Sequence, residues 1–77
     1  MNIFKKLHSL TVDESKLVEV LKVMDIFDVK PNKVMRMKHN RGYFYVNFYA
    51  TKKNGSKVKR AICRNSRIGE SNVSFTY

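Results

Sequence analysis

Three tyrosines at alternating positions form the strongest chemical pattern in the chain. Tyr43, Tyr45 and Tyr49 share one face of any extended strand, whereas Phe44 and Phe48 share the other. Aromatic rings stack on unpaired bases, and nearby arginines and lysines can neutralise phosphates or stack on bases themselves. The pattern therefore predicts one core face and one face suited to single-stranded nucleic acid.

The dipeptide Asn54-Gly55 predicts a β-hairpin, because both residues tolerate the left-handed positions of a type I′ turn. The hairpin would join a strand at 43–52 to a strand at 57–64. Opposite residues of an antiparallel pair share a face, so this register adds basic residues to the tyrosine face. Those on the third strand are Arg60 and Arg64.

A second turn, at residues 39–42, gives the same division of faces. It would connect a strand at 34–38 to the tyrosine strand, with Lys38 opposite Tyr43. In that register Arg36 lies beside Tyr45. Two turns read separately thus predict a basic and aromatic face that spans three strands.

The predicted nucleic-acid site combines stacking tyrosines with cations on the strands and at the lysine-rich hairpin tip. Its residues are Arg36, Lys38, Arg41, Tyr43, Tyr45, Tyr49, Lys52, Lys53, Lys57, Lys59, Arg60 and Arg64. A solvated sheet with cross-strand Tyr–Arg pairs would use the same residues. A homodimer seam or another protein interface would use them as well, since both residue types are favoured there.

The remaining pattern predicts one main helix and an α+β fold. Residues 12–28 alternate polar and apolar positions at helical spacing, and Thr11 to Glu14 fit a capping box at the start. Residues 1–10 fit an ordered arm or a short helix, and residues 73–77 fit a last strand. We expect a single domain over 1–77, with the N-terminal amphipathic helix packed on an antiparallel meander of three or four strands.

Charge is the clearest compositional feature. The 77 residues contain 16 Lys and Arg against 6 Asp and Glu, giving a net charge of +10. Five of the six acids fall within residues 13–28, so the sheet and its turns carry the positive charge. This balance predicts a polyanionic partner, with nucleic acid first and an acidic protein second. No apolar run predicts a membrane span or a secretory signal, and we expect a cytoplasmic protein.

The sequence offers little for catalysis. His8 and His39 have no carboxylate spaced to orient them, and the single cysteine, Cys63, predicts neither a disulfide nor a metal site and is expected in the core. We therefore predict a small non-enzymatic protein without cofactor or metal. It would bind nucleic acid, single-stranded by preference, with RNA and DNA both open.

The alternative interpretation is a regulatory module of the viral or inhibitory type that binds an acidic partner protein. Its contact would be the acidic helix, through three apolar residues that lie off the main stripe. These are Val18, Val23 and Ile26.

Overall fold

The computed structural model describes residues 4–76, which form four antiparallel strands and two α-helices. The predicted α+β class is therefore confirmed. In chain order the elements are β1 (Lys5–Asp13), α1 (Leu17–Ile26), β2 (Lys33–Arg36), β3 (Tyr43–Thr51), α2 (Lys52–Arg64) and β4 (Val73–Phe75). Short 3-10 turns precede α1 and β4, at Glu14–Lys16 and Glu70–Asn72.

The sheet order is β2-β3-β1-β4, and every neighbouring pair is antiparallel. With a helix after β1 and another after β3, this is the split β-α-β arrangement. The predicted meander is wrong because two of the three neighbouring pairs are not consecutive in the chain. The helix is also not the first element, since β1 precedes it.

Strand β1 occupies the centre of the sheet, where the sequence predicted an arm or a short helix over residues 1–10. Residues 1–3 of that segment lie outside the described residues. His8, Leu10 and Val12 alternate along β1 and are 7%, 0% and 0% exposed on the helix-covered side. This period of two is typical of a strand with one covered face. Phe4, Leu7 and Leu10 match helical spacing only by coincidence, because Leu7 and Leu10 lie on opposite faces of β1.

Helix α1 begins later than predicted and has a different cap. Asp13 is the N-cap of the 3-10 turn, and its carboxylate accepts hydrogen bonds from the Ser15 amide (2.9 Å) and hydroxyl (2.8 Å). These bonds lower the pKa of Asp13. The predicted box at Thr11 is wrong because Thr11 lies inside β1. The helix ends near Asp28, whose φ of 57° lets the Val29 amide return to the Met24 carbonyl at 2.9 Å.

The predicted strand at 57–64 and its Asn54-Gly55 turn are wrong, because residues 52–64 form helix α2. Thr51 caps this helix by accepting a hydrogen bond from the Asn54 amide at 3.0 Å. As a helix the segment buries Val58 and Ile62 completely. The hairpin would have left both on the outer face. Full burial of such a side chain is worth about 1.5–3 kcal/mol, which outweighs the turn preference of one dipeptide.

Gly55 packs α2 against the centre of the sheet. A β-carbon at this position would collide with the imidazole of His8, whose Nδ1 would lie 2.9 Å away. The His8 ring also stacks on Phe48, with ring centroids 5.2 Å apart, and its Nε2 bonds to the Ala50 carbonyl at 3.1 Å. The chain thus uses the glycine for close approach of helix to sheet rather than for a turn.

Strand β2 is shorter than predicted and shifted by one residue against β3. Val34 pairs with Val46, Met35 with Tyr45 and Arg36 with Phe44. The shift arises because the connection closes with the Met37 amide on the Tyr43 carbonyl at 3.0 Å, one residue earlier than the expected Lys38 pairing. Every β2 side chain therefore lies on the face opposite to the predicted one.

Both helices pack on the same face of the sheet, and the core lies between the two layers. Its members come from strands β1 and β3, from both helices and from the connections after α1 and α2: Leu10, Val12, Val20, Val23, Met24, Val29, Val46, Phe48, Ala50, Val58, Ile62 and Ile68. Strand β4 pairs with β1, not with the sheet edge next to β2. Cys63, expected in the core, is half-buried instead, and burial raises the pKa of its thiol.

Replacing Gly55 with Ala tests the helix–sheet contact. Alanine is the better helix former by about 1 kcal/mol, yet we expect a net loss of stability because overpacking typically costs about 1–3 kcal/mol. Thermal unfolding followed by circular dichroism gives the change in melting temperature. In the double variant His8→Ala/Gly55→Ala the cost of the added methyl should largely disappear.

Asn54→Ala is the matched control, because its effect has opposite signs in the two conformations. Asn54 caps nothing with its side chain, so in a helix the substitution should be neutral or stabilising. In a type I′ turn it would be destabilising, since alanine disfavours positive φ. A clear loss of stability from Asn54→Ala would contradict helix α2.

Candidate nucleic-acid interface

One face of the sheet carries no helix, and we call it the open face. Its members alternate along the four strands with the core residues, as the strand registers require. They are Lys5, Leu7, Ser9, Thr11, Asp13, Lys33, Met35, Tyr43, Tyr45, Asn47, Tyr49, Thr51 and Ser74. Of these strand residues Asp13 is the one acid, and its carboxylate is already engaged by Ser15.

The three tyrosines of β3 lie in a row on the open face. At about 3.3 Å per residue, Tyr43 and Tyr45 are roughly 7 Å apart and Tyr49 is roughly 13 Å beyond Tyr45. Tyr49 is 52% exposed, whereas the other two are half-buried. The sequence prediction of a shared face for these three residues is confirmed.

Tyr45 is held by polar groups from three segments. Its hydroxyl shares a hydrogen bond with Ser9 Oγ on β1 (3.0 Å) and accepts one from the Asn47 amide (3.3 Å). Asn47 in turn accepts from the Asn32 side chain at 3.2 Å, in the connection before β2. Ser9 and Asn47 are buried, so the network fixes the tip of the tyrosine without covering the whole ring.

The same contacts change the acidity of the phenol. The hydrogen bond with Ser9, and after it the bond with Asn47, lower the pKa of Tyr45 because both groups can donate to the phenolate. The positive charge of Lys33 on β2 acts in the same direction. Lys33 pairs with Asn47, so it lies on the open face diagonally across from Tyr45.

Tyr49 lies at the wall of a shallow depression of about 480 Å³. Two basic residues also line this depression, Lys5 on β1 and Lys30 before β2. Asp28 also contributes to the lining. An exposed aromatic ring next to two cations is an arrangement that fits one base and its phosphate.

At the other end of the tyrosine row, the β2–β3 connection presents further cations. Lys38 and Arg41 line a wide depression of about 620 Å³ together with Arg36 and Met37. Lys38 and Arg41 are both exposed. The structure thus leaves these two predicted site residues near the end of β3 that carries Tyr43.

Arg36 does not lie beside Tyr45, contrary to the prediction. The shifted register turns it to the helix-covered side, where its guanidinium lies 4.6 Å from the centre of the Phe44 ring. It also pairs with Glu14 (3.1 Å) and donates to the Arg41 carbonyl (2.7 Å). These contacts connect β2 to the start of α1 and to its own turn.

The six basic residues that the hairpin would have contributed are not on the open face. They are Lys52, Lys53, Lys57, Lys59, Arg60 and Arg64, all on α2. Because α2 packs on the other side of the sheet, these cations are separated from the tyrosines by the sheet itself. The prediction that Arg36, Arg60 and Arg64 share a face with the tyrosines is therefore wrong.

Sequence reasoning missed the open-face residues contributed by β1 and by the start of β2. Lys5, Ser9 and Lys33 were assigned to an arm or to a loop. A partial signal was present, since Leu10 and Val12 alternate with the polar residues Ser9, Thr11 and Asp13. That signal identifies a strand, but the sequence contains nothing that specifies which strand it pairs with.

Groups typical of other functions are not found in the described chain. Residues 4–76 contain no group of three His, Cys, Asp or Glu side chains placed to hold a metal ion. Neither α1 nor α2 has the length and apolar character that crossing a membrane requires.

Comparison with protein-family models, with curated protein sequences and with solved structures finds no match to this chain. The open face must therefore be interpreted from its own geometry.

Removing the Ser9 hydroxyl tests the Tyr45 network. In Ser9→Ala the largest cause of the lowered pKa of Tyr45 is lost, so this pKa should rise towards the usual tyrosine value. The Tyr45 ring carbon bearing the hydroxyl, followed by NMR through alkaline pH, reports this directly. Ser74→Ala, also on the open face but without a bond to Tyr45, should leave the titration unchanged. An unaltered titration in Ser9→Ala would mean that the network does not form.

Proposed function

We propose that the chain is a small non-enzymatic protein that binds single-stranded nucleic acid on the open face of its sheet. The observation that carries the proposal is the row of three tyrosines on a helix-free face flanked by cations. Bases would stack on Tyr45 and Tyr49, and Lys5, Lys30 and Lys33 would contact phosphates.

The spacing of the tyrosines favours unpaired strands over duplexes. Tyr45 and Tyr49 are roughly 13 Å apart along the strand, about four times the 3.4 Å spacing of stacked nucleotides. Bases on neighbouring tyrosines would therefore be splayed apart, with each one stacked on protein. A duplex cannot offer its bases in this way without opening.

A known class of RNA-binding domain uses a sheet similarly, which adds support by analogy only. RNA-recognition motifs stack two or three bases on aromatic residues of a four-stranded sheet. Their strand signature is K/R-G-F/Y-G/A-F-V-x-F/Y. The segment Arg41 to Phe48, RGYFYVNF, follows it except that Phe44 replaces Gly or Ala and Tyr45 replaces Phe.

The departure at Phe44 has a physical explanation in this structure. Phe44 lies on the helix-covered side, where the Arg36 guanidinium covers its ring. It therefore fills space at the edge of the core and takes no part in the open face. The aromatic positions that would contact bases are unaffected by the exchange.

Tyr49→Ala tests the proposal at the most exposed ring. Stacking of a base on an aromatic side chain is worth about 1–3 kcal/mol, so affinity for a single strand should fall roughly tenfold or more. Affinity for a duplex should change little. Fluorescence anisotropy with labelled RNA and DNA oligonucleotides, titrated over salt concentration, measures both.

Ile26→Ala is the matched control, since Ile26 is 77% exposed on α1, in the helix layer. It removes a similar exposed apolar surface and should leave binding intact. The proposal is wrong if the wild-type chain binds neither RNA nor DNA at moderate salt. It is also wrong if Tyr49→Ala and Ile26→Ala bind single strands equally well.

A protein partner is the second candidate, and one observation favours it. Val18 and Ile26 are 62% and 77% exposed on α1, a large apolar exposure for one short helix. Val23, which the sequence grouped with them, is buried and belongs to the core. The proposed contact on α1 is therefore smaller than the sequence predicted.

If α1 binds a protein, the double variant Val18→Ser/Ile26→Ser should lose a partner that the wild-type chain captures from lysate after nuclease treatment. The variant should keep its fold, because both side chains are largely exposed. Loss of all captured protein on nuclease treatment alone would contradict this second candidate.

A further inference from the structure

Helix α2 carries a row of four cations on the side that faces away from the sheet. Lys53, Lys57, Arg60 and Arg64 follow one another at intervals of four, three and four residues. With 3.6 residues per turn they form one stripe, which runs about 16 Å along the helix. We call these four residues the α2 stripe. All four are exposed.

The α2 stripe lies opposite the residues that attach the helix to the core. Gly55, Val58 and Ile62 are buried against the sheet and the other helix. Their positions on the helical wheel are on the far side from the stripe. The stripe and the open face therefore point in opposite directions from the two layers.

None of the ion pairs among residues 4–76 involves a residue of the α2 stripe. Helix α2 contains no acid, and the two ion pairs within residues 4–76 join Lys22 to Glu19 and Arg36 to Glu14. Like charges spaced at i and i+4 destabilise a helix, so these positions weaken α2 when no ligand is bound. A polyanion would remove that repulsion.

The stripe also borders a groove. Lys57, Arg60 and Arg64 line a cleft of about 220 Å³ whose remaining walls are Phe27 at the end of α1 and Ala61. The apolar face of α2 is already used in the core, so the helix cannot insert that face into a lipid surface. A line of cations along a shallow groove fits a phosphate backbone.

We propose that the α2 stripe binds the backbone of a second nucleic-acid segment, so that one chain bridges two segments. This inference rests on the proposed function for the first segment. The two surfaces would act differently. The open face holds unpaired bases by stacking, whereas the stripe contacts phosphates and does not depend on sequence. Bringing two strands together on one small protein would promote their annealing or condensation.

The test uses oligonucleotides too short to reach around the protein. One strand is immobilised on beads and loaded with the full chain, and excess protein is washed away. A fluorescent strand without complementarity to the first is then added. We expect the loaded wild-type chain to capture it. Lys57→Gln/Arg60→Gln should bind the first strand but capture roughly tenfold less of the second, with a weaker salt dependence.

Lys16→Gln/Lys22→Gln is the matched control, because it removes the same charge from the α1 region and should capture normally. Glutamine has nearly the helix propensity of lysine and arginine, and circular dichroism verifies folding. If the α2 variant still captures the second strand, the inference is overturned. A dimer that bridges two strands through its two open faces would give this result. Equal loss in both variants, or binding of the stripe to anionic vesicles in place of the second strand, also overturns it.

The two proposals fail in different ways. If the wild-type chain binds the first strand and captures no second strand, bridging is wrong and the open-face site stands. If no first strand binds, the proposed function is wrong and bridging fails with it.

Discussion

The contact between Gly55 and His8 is the constraint on which the arrangement of the molecule depends. Because residue 55 has no β-carbon, α2 approaches the middle of β1 closely enough to contact the imidazole of His8, which stacks on Phe48. That approach commits residues 52–64 to the helix layer. It also leaves the tyrosine side of the sheet without a covering element. The open face thus exists because both helices pack on the side of the sheet that His8 and Phe48 occupy.

Placing α2 behind the sheet divides the positive charge between two separate surfaces. Lys5, Lys30 and Lys33 accompany the tyrosines, while the α2 stripe faces the opposite direction. Arg36 belongs to neither, since Glu14 and Phe44 hold it at the edge of β2. The net charge of +10 does not reveal that the positive residues lie on two surfaces of different character. One side offers rings with a few cations, and the other offers cations alone.

The sequence allowed the tyrosine strand to be predicted correctly and much of its surroundings incorrectly, for identifiable reasons. From Tyr43 to Tyr49 the residues of the core face alternate with those of the tyrosine face, which is a local signal for a strand. Burial of Val46 and Phe48 determines which face is covered. Asn54-Gly55 is also a strong local signal, but packing of Val58 and Ile62 overrides it. The β2 register differs by one residue from the predicted one because the Met37 amide, and not Lys38, pairs with Tyr43. No residue type in this turn predicts that pairing. The position of β1 depends on distant partners, which a single sequence does not reveal.

The pairing of β1 with β3 also determines when the sheet can be completed. His8 pairs with Phe48, forty residues later in the chain. At about 5–20 residues per second, β1 waits roughly two to eight seconds during synthesis before its main partner exists. Such non-local pairing slows folding and leaves a hydrophobic strand open to wrong partners. Lys5 and Lys6 at its start can limit that risk, since charges beside an unpaired strand discourage aggregation.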